Sequence, residues 1–300
     1  MSIFVKKEGL ILKPGGLYDK TKVVSPDVIA TNGIIRLFYI GTSCKPSERK
    51  DYRILSADST DGLNFVKREK PIVDISAYSQ KVYSPCVVKI GDNFKMYFAS
   101  YENGRYLIRS ADSKDCLNFK IDEKIIIDVN QHHQKAVYTP KVKIKNGLFH
   151  CYYTGSNEFL KIYSKQYPEY EFSNGFRIFY STSHDGENFN FRDEVKFTQK
   201  PKLINYYGHN FLFLGPQTLL FYTAFDGSIN RIYLAKSNDG LNFKDVQCLI
   251  EPDKNKEELG CYSCALNPLS NNLLRIYYGI RYFDNFWQIH SAILNLNKYL

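Results

Sequence analysis

An all-β fold, a five-bladed β-propeller with four antiparallel strands per blade, is predicted by two repeats and by the aromatic bias of this 300-residue chain. The first repeat is a turn. It reads STDGLNF over Ser59–Phe65, SKDCLNF over Ser113–Phe119, SHDGENF over Ser183–Phe189 and SNDGLNF over Ser237–Phe243, with its aspartates 54, 70 and 54 residues apart. A fixed period of roughly 40–55 residues marks a stacked or radial array, in which each unit buries its apolar faces on its neighbours. Asp-Gly between strand-like runs closes a hairpin, because both residues tolerate the positive φ of a tight turn. The second repeat is an aromatic strand: LFYIGT from Leu37, MYFAS from Met96, CYYTGS from Cys151, LFYTAF from Leu220 and IYYGIR from Ile276. Tyrosine (24) and phenylalanine (21) far outnumber methionine (2) and tryptophan (1), so β-favouring rings build the core.

The elements follow in order. An X-Pro-X-Val step precedes the first three aromatic strands, at Ser25–Val28, Ser84–Val87 and Thr139–Val142. Proline suits a strand start, where no ladder donor is lost. The fourth and fifth units keep the strand without the step, from Gly208 and from Tyr262. Each unit therefore reads as an inner strand, a short turn, the aromatic strand, a variable loop, a third strand, the Asp-Gly turn and an outer strand. Blades begin near residues 24, 83, 138, 208 and 262, and the whole of 1–300 forms one domain. The last blade has a third strand near Trp287–Asn295 but no Asp-Gly turn, so its fourth strand is missing. The apolar run Ile3–Leu12 is expected to fill that slot and close the ring, covering an open sheet edge. A parallel β-solenoid is the rival, but its coils are about 20–30 residues long and carry no Asp-Gly hairpins.

Bulk properties narrow the class. No run of 18 apolar residues occurs, and the N-terminus turns charged at Lys6, Lys7 and Glu8 without a secretory pattern. Seven cysteines at irregular spacing, several inside strands, read as reduced core thiols, which points to a cytoplasmic address. Forty basic against 31 acidic residues give a net charge of +9, favouring anionic partners by long-range steering. The lysines are scattered and form no dense stripe or nucleic-acid motif, so no nucleic-acid partner is expected, nor membrane insertion.

In a propeller the inner strands line a central channel, and the loops at their starts share one face with the loops after the aromatic strands. The Asp-Gly turns sit on the opposite face, so Asp61, Asp115, Asp185 and Asp239 read as turn formers. Candidates on the functional face are Asp19, Asp27, Cys86, Glu102, His132, His133, Lys141, Glu158, His209, Asn210, Asp226, Glu257, Glu258 and Asp284. Glu102, Glu158, Asp226 and Asp284 occupy matching loops after aromatic strands, where rings beside carboxylates suit sugar binding. Asp226-Gly227 also reads simply as a tight turn. His132, His133 and His209 could meet over the channel with Asp27 as a base or a metal set. No helical i, i+4 spacing supports a metal, the Cys261-x-x-Cys264 pair falls short of a zinc pattern, and loop histidines are the better reading. Arg53, Arg177 and Arg231 each lie eight residues before an Asp-Gly turn, and inward they would form a guanidinium ring for carboxylate or phosphate. Outward they would pair with neighbouring blades. The insertion Phe159–Phe176 reads as a lid, a substrate-selecting loop or an oligomer contact.

The X-Pro-Asp-Val step, the FYIGT strand and the S-x-D-G-x-N-F turn resemble the five-bladed propeller glycosidases of glycoside hydrolase families 32, 43, 62, 68 and 130. The resemblance is closest to glycosidase-like propellers of bacterial polysaccharide gene clusters, and it covers about residues 20–295. It implies catalytic carboxylates at inner-strand starts, and leaves room for a channel-bound Ca²⁺ although no cofactor is expected. Only Asp27 keeps such a carboxylate; Cys86 and Lys141 hold the corresponding places in the next two blades. Hydrolysis needs two carboxyl groups across the bond. The second must then come from a loop, and the catalytic set expected is Asp27, Glu102, Asp226 and Asp284. Substrate-binding roles are expected for Asp19, Cys86, Lys141, Glu158, His209, Arg53, Arg177 and Arg231. The leading expectation is an enzyme, hydrolase-like or glycosyl-transferring, acting on a glycosidic or activated-sugar bond in polysaccharide or oligosaccharide metabolism. The alternative is a non-catalytic propeller binding a sugar or nucleotide sugar, possible once the carboxylate set is lost.

Overall fold

The computed structural model describes residues 5–43, 51–73, 81–130, 132, 136–156, 175–198, 205–282 and 286–299. After β1 (Val5–Leu12) the chain runs through antiparallel meanders. The first comprises β2 (Lys22–Thr31), β3 (Ile34–Thr42), β4 (Arg53–Ser59) and the short β5 (Val66–Lys67). The second comprises β6 (Val82–Ile90), β7 (Asn93–Glu102), β8 (Arg105–Ser113) and β9 (Lys120–Ile127). The third comprises β10 (Ala136–Lys145), β11 (Leu148–Ser156), β12 (Arg177–Ser183) and β13 (Asn190–Glu194), followed by β14 (Lys196–Phe197), which crosses to the fourth. The fourth comprises β15 (Asn205–Leu214), β16 (Gln217–Phe225), β17 (Asn230–Ser237) and β18 (Asn242–Ile250). The fifth comprises β19 (Glu258–Pro268), β20 (Leu273–Tyr282) and β21 (Trp287–Asn295), with β1 antiparallel to β21. The fold is an all-β propeller.

Its core lies between meanders. Each of the apolar clusters joins two successive units, as Phe38 and Ile40 meet Val87, Met96 and Phe98. The cluster of Leu37, Tyr39 and Leu55 meets Ala265, Tyr277 and Ile289 of the fifth meander and Leu12 of β1. Strands buried on both faces explain why the aromatic runs read as continuous rather than alternating.

The repeated turn is saturated by its own residues. In the first copy Asp61 Oδ1 accepts from the Leu63 and Asn64 amides, both at 2.8 Å, and Oδ2 from Asn64 Nδ2 at 2.7 Å. Asp115, Asp185 and Asp239 repeat that pattern. These bonds hold all four carboxyls well below the usual carboxylate range. The turn also latches to the preceding meander. Tyr277, Tyr97 and Tyr152 hydroxyls donate to the carbonyls of Gly62, Gly186 and Gly240 at 2.8, 2.7 and 2.6 Å. A Cβ at Gly186 would stand 2.8 Å from the Tyr97 hydroxyl and 2.7 Å from the Phe149 ring, at a φ of 75°. That is why glycine follows the aspartate there. The second turn carries Cys116 instead, and Arg36 Nη1 supplies the latch at 3.1 Å.

Candidate functional site

The inner strands β2, β6, β10, β15 and β19 share a break in register, between Val24 and Asp27, Tyr83 and Cys86, Tyr138 and Lys141, Tyr207 and Asn210, and Tyr262 and Cys264, and β19 has a second between Glu258 and Gly260. At each shared break one residue takes a left-handed backbone: Ser25 (φ 54°), Ser84 (51°), Thr139 (46°), Gly208 (54°) and Ser263 (40°). The fourth and fifth units thus keep the bulge after losing the proline. A left-handed serine or threonine costs about 1–2 kcal/mol, so the surroundings must enforce it.

Part of that enforcement comes from the residue after the bulge, which ties adjoining strands. Asp27 Oδ2 accepts from the Val87 amide at 2.8 Å, and Oδ1 accepts from Lys141 Nζ at 2.7 Å. Lys141 Nζ also donates to the Pro85 carbonyl at 2.8 Å. Cys86 Sγ accepts from the Val142 amide at 3.1 Å, and Asn210 Nδ2 donates to the Cys264 carbonyl at 3.2 Å. Burial pushes the Cys86 thiol up to about 12. Asp27, Cys86 and Lys141 are each buried and do not line the channel mouth. Asp27 therefore stands as a cation-paired structural anion rather than a free acid. One carboxylate already held by an ammonium, beside a thiol and an amide, also does not fit Ca²⁺, which takes six to eight oxygens. Among the described residues no group of three potential metal ligands forms.

Above the bulges opens a cavity of about 370 Å³, within the range of small-molecule sites. Its wall is a circuit of rings with one gap. Tyr52 meets Tyr83 (centroids 4.9 Å apart), Tyr83 meets Tyr106 (5.6 Å), and Tyr106 meets Tyr138 (4.5 Å). Tyr138 meets Phe176 (5.2 Å), Phe176 meets Tyr207 (6.5 Å), and Tyr207 meets Tyr262 (6.2 Å). Tyr262 meets Trp287 at 4.6 Å. Where the first meander has Val24 in place of a tyrosine, Lys22 Nζ closes the gap, 4.6 Å from the Trp287 ring and 5.5 Å from Tyr52. Ser25, Ser84, Thr139, Thr154 and Ser263 add hydroxyls. Among the described residues, Lys22 and Lys81 are the only charged side chains that line it.

None of these rings is read from the sequence as a site residue, although Phe176 ends the insertion expected to select substrate and Tyr262 and Trp287 are read as strand starts. The signal that marks them is alignment on the bulge: Val24, Tyr83, Tyr138, Tyr207 and Tyr262 each directly precede the left-handed residue. A second set opens the third strands, where Tyr52, Tyr106 and Trp287 bridge in parallel to Lys81, Ala136 and Lys22 of the next unit.

The two expected loop acids that are described, Glu102 and Asp226, go elsewhere. Glu102 forms a bidentate pair with Arg109, at 2.7 and 2.8 Å. Burial alone would raise its pKa, but the guanidinium prevails and lowers it. Asp226 caps its own turn, accepting from the Ser228 and Ile229 amides at 2.9 Å, and pairs with Arg231. Partial burial opposes these bonds, yet they hold its carboxyl down to about 2. Glu158, Asp284 and His133 lie outside the described residues, as does the insertion before Gly175. Asp19 is buried beneath the loop ahead of β2, bonded to the Gly16 amide (2.5 Å), Tyr39 (3.0 Å) and Lys67 (2.6 Å). The three arginines form no inward ring, because each finds a partner on its own unit: Arg53 pairs Asp51, Arg177 donates to the Phe176 carbonyl, and Arg231 pairs Asp226 and Glu251. His132 stacks on Phe191 at 4.1 Å. Glu258 is buried and accepts from the Asp253 amide at 2.7 Å, and Glu257 caps a short 3₁₀ turn.

His209 lies under the floor. Its Nδ1 stands 3.4 Å from Thr154 Oγ1, and its Nε2 is buried with no bonding partner among the described residues. Burial lowers its pKa to about 4; the nearby Tyr152 carbonyl opposes the shift and Lys141 adds to it, so the imidazole is neutral near pH 7.

No protein-family model and no curated protein matches the sequence. Solved structures do match in fold. A β-1,2-mannobiose phosphorylase from Listeria innocua superimposes with a TM-score of 0.75 at 14% identity, covering 99% of this chain and 98% of that one. A thermostable family-43 glycoside hydrolase gives 0.72 at 15%, covering 93% and 90%. An N-acetylgalactosamine deacetylase from F. plautii, in complex with blood group B trisaccharide, gives 0.70 at 13%, covering 96% and 95%. Likeness over nearly the whole length at such low identity is a likeness of fold. The chain has the β-propeller fold of the glycosidase-like enzymes.

Proposed function

We propose that this is a carbohydrate-active protein whose channel mouth binds a saccharide on its circuit of rings. The five meanders are read as the blades of one propeller domain, closed by β1. The observation that carries the functional reading is the wall of rings running from Tyr52 round to Trp287, with hydroxyls at its base. The C–H faces of a sugar stack on rings while its hydroxyls bond to serine, threonine and tyrosine oxygens. Buried thiols such as Cys151 and Cys264, unbridged, support a reducing, cytoplasmic setting.

The mouth contains its own reporter, because Trp287 is the one tryptophan of the chain. Titration with a panel of oligosaccharides should change its emission saturably, and Tyr106→Ala or Tyr138→Ala should weaken binding about tenfold while leaving the melting curve cooperative. Saccharides that leave Trp287 emission and thermal stability untouched across the panel would reject this site.

Turnover of a glycosidic or activated-sugar bond is the second reading. It rests on sequence position: Glu158 follows the end of β11 by two residues and Asp284 follows the end of β20 by two, and both strands end on the mouth side. Glu158→Gln with Asp284→Asn should abolish release from activated glycosides while saccharide binding persists. Turnover unchanged in that double variant removes both acids from the chemistry.

A further inference from the structure

We infer that the mouth selects saccharides whose terminal residue carries a methyl group where a plain hexose has a hydroxyl, as 6-deoxy, O-methyl and acetylated sugars do; the inference rests on the saccharide reading above. Rings surround the cavity instead of forming a platform on one side, from Tyr52 through Tyr138 and Tyr207 to Trp287. Two of their hydroxyls are already bonded to a residue outside the lining. Asn230, fully buried, accepts from the Tyr207 hydroxyl and donates to the Tyr262 hydroxyl at 2.7 Å. Both lysines of the mouth lie over rings, Lys22 over Trp287 and Tyr52, and Lys81 over Tyr101 at 4.9 Å. Among the described residues no carboxyl, carboxamide, guanidinium or imidazole lines the cavity. The aliphatic hydroxyls lie at its base, on the bulge residues Ser25, Ser84, Thr139 and Ser263 and on Thr154. Polar recognition is therefore gathered at one end of an apolar wall.

A plain hexose carries hydroxyls round its rim. A platform of rings on one side covers a C–H face and leaves that rim to water, whereas an enclosing wall meets the rim itself. A hydroxyl pressed there leaves water without a new partner, while a methyl group gains by leaving water. Burial pushes the Tyr83 and Tyr138 phenols well above their ordinary pKa, the mark of a water-poor wall. The ligand that matches is polar at the end reaching the base and apolar round its girth.

The test uses the full chain. A glycan array holding plain, 6-deoxy, O-methylated, acetylated and acidic glycans is read first. Trp287 emission is then titrated with the preferred methyl-bearing sugar and its fully hydroxylated counterpart, L-rhamnose against L-mannose for example. The methyl-bearing member should bind at least about tenfold tighter, with a gap that salt leaves unchanged. Tyr106→Ala and Tyr138→Ala each open the wall to water and should close much of that gap, and either decides should the other fail to fold. Preference for 6-deoxy, for O-methylated or for acetylated glycans supports the proposal and identifies the source of the methyl group. Equal binding of both members, tighter binding of a fully hydroxylated or an acidic glycan, or a gap that survives both wall variants overturns it while the saccharide site stands. Binding of no glycan at all removes the saccharide reading, and this inference with it.

Discussion

Lys141 gives Asp27 a partner where a propeller hydrolase is expected to keep an acid ready. Both side chains are buried, so the pair holds only while both charges are present. Lys141→Met should destabilise the protein by about 3–5 kcal/mol, because it strands a buried carboxylate. Asp27→Asn combined with Lys141→Met should recover most of that loss. Urea denaturation of Lys141→Met, Asp27→Asn and the double variant decides, and additive losses would mean the two residues act independently. His209 yields a pH prediction. Its native pKa of about 4 lies below the ordinary 6.5, so the folded state binds fewer protons than the unfolded state. Its contribution is complete above pH 6.5 and is lost as pH falls toward 4. Between pH 7.5 and 5 the loss is about 2 kcal/mol. His209→Gln should flatten this part of the stability profile relative to the parent protein; parallel profiles would show that His209 titrates normally.

At the scale of elements, the bulge and the turn serve opposite ends of each meander. The bulge sets rings around the mouth. The turn binds one meander to the previous one through a tyrosine hydroxyl, and only where glycine leaves room. The pattern of side chains follows that need. Phe38 and Phe221 stand where Tyr97 and Tyr152 stand elsewhere, and the units after them present Cys116 or no Asp-Gly turn at all. Tyr152→Phe should cost about 1–3 kcal/mol by leaving the Gly240 carbonyl buried without its donor. Phe221→Tyr should bring no gain, having no carbonyl to meet. Thermal melts of the two variants test the latch, and equal shifts would discard it.

For the whole molecule, β1 binds the two ends of the chain. It pairs with β21 from Val5↔Leu294 to Leu12↔Ile289, and Glu8 accepts from Arg275 (2.9 Å) and Ser291 (2.8 Å). Deleting residues 1–12 should expose the β21 edge and give aggregated or unfolded protein. A truncated chain that melts at the parent temperature would remove β1 from the closure. The sequence by itself determined the repeat, the strand order within each unit and the structural role of the turn aspartates, because local hydrogen bonding and strand periodicity act over a few residues. It also marked Ile3–Leu12 as the strand for the last sheet, since an unpaired apolar run and a missing partner are both visible along the chain. What only the tertiary structure decided is the site. Asp27 and Lys141 are 114 residues apart, so nothing local shows that one neutralises the other. The rings of the mouth come singly from separate units, one before every bulge but the first and one at most third-strand starts, and become a wall only when the meanders are set around a common channel.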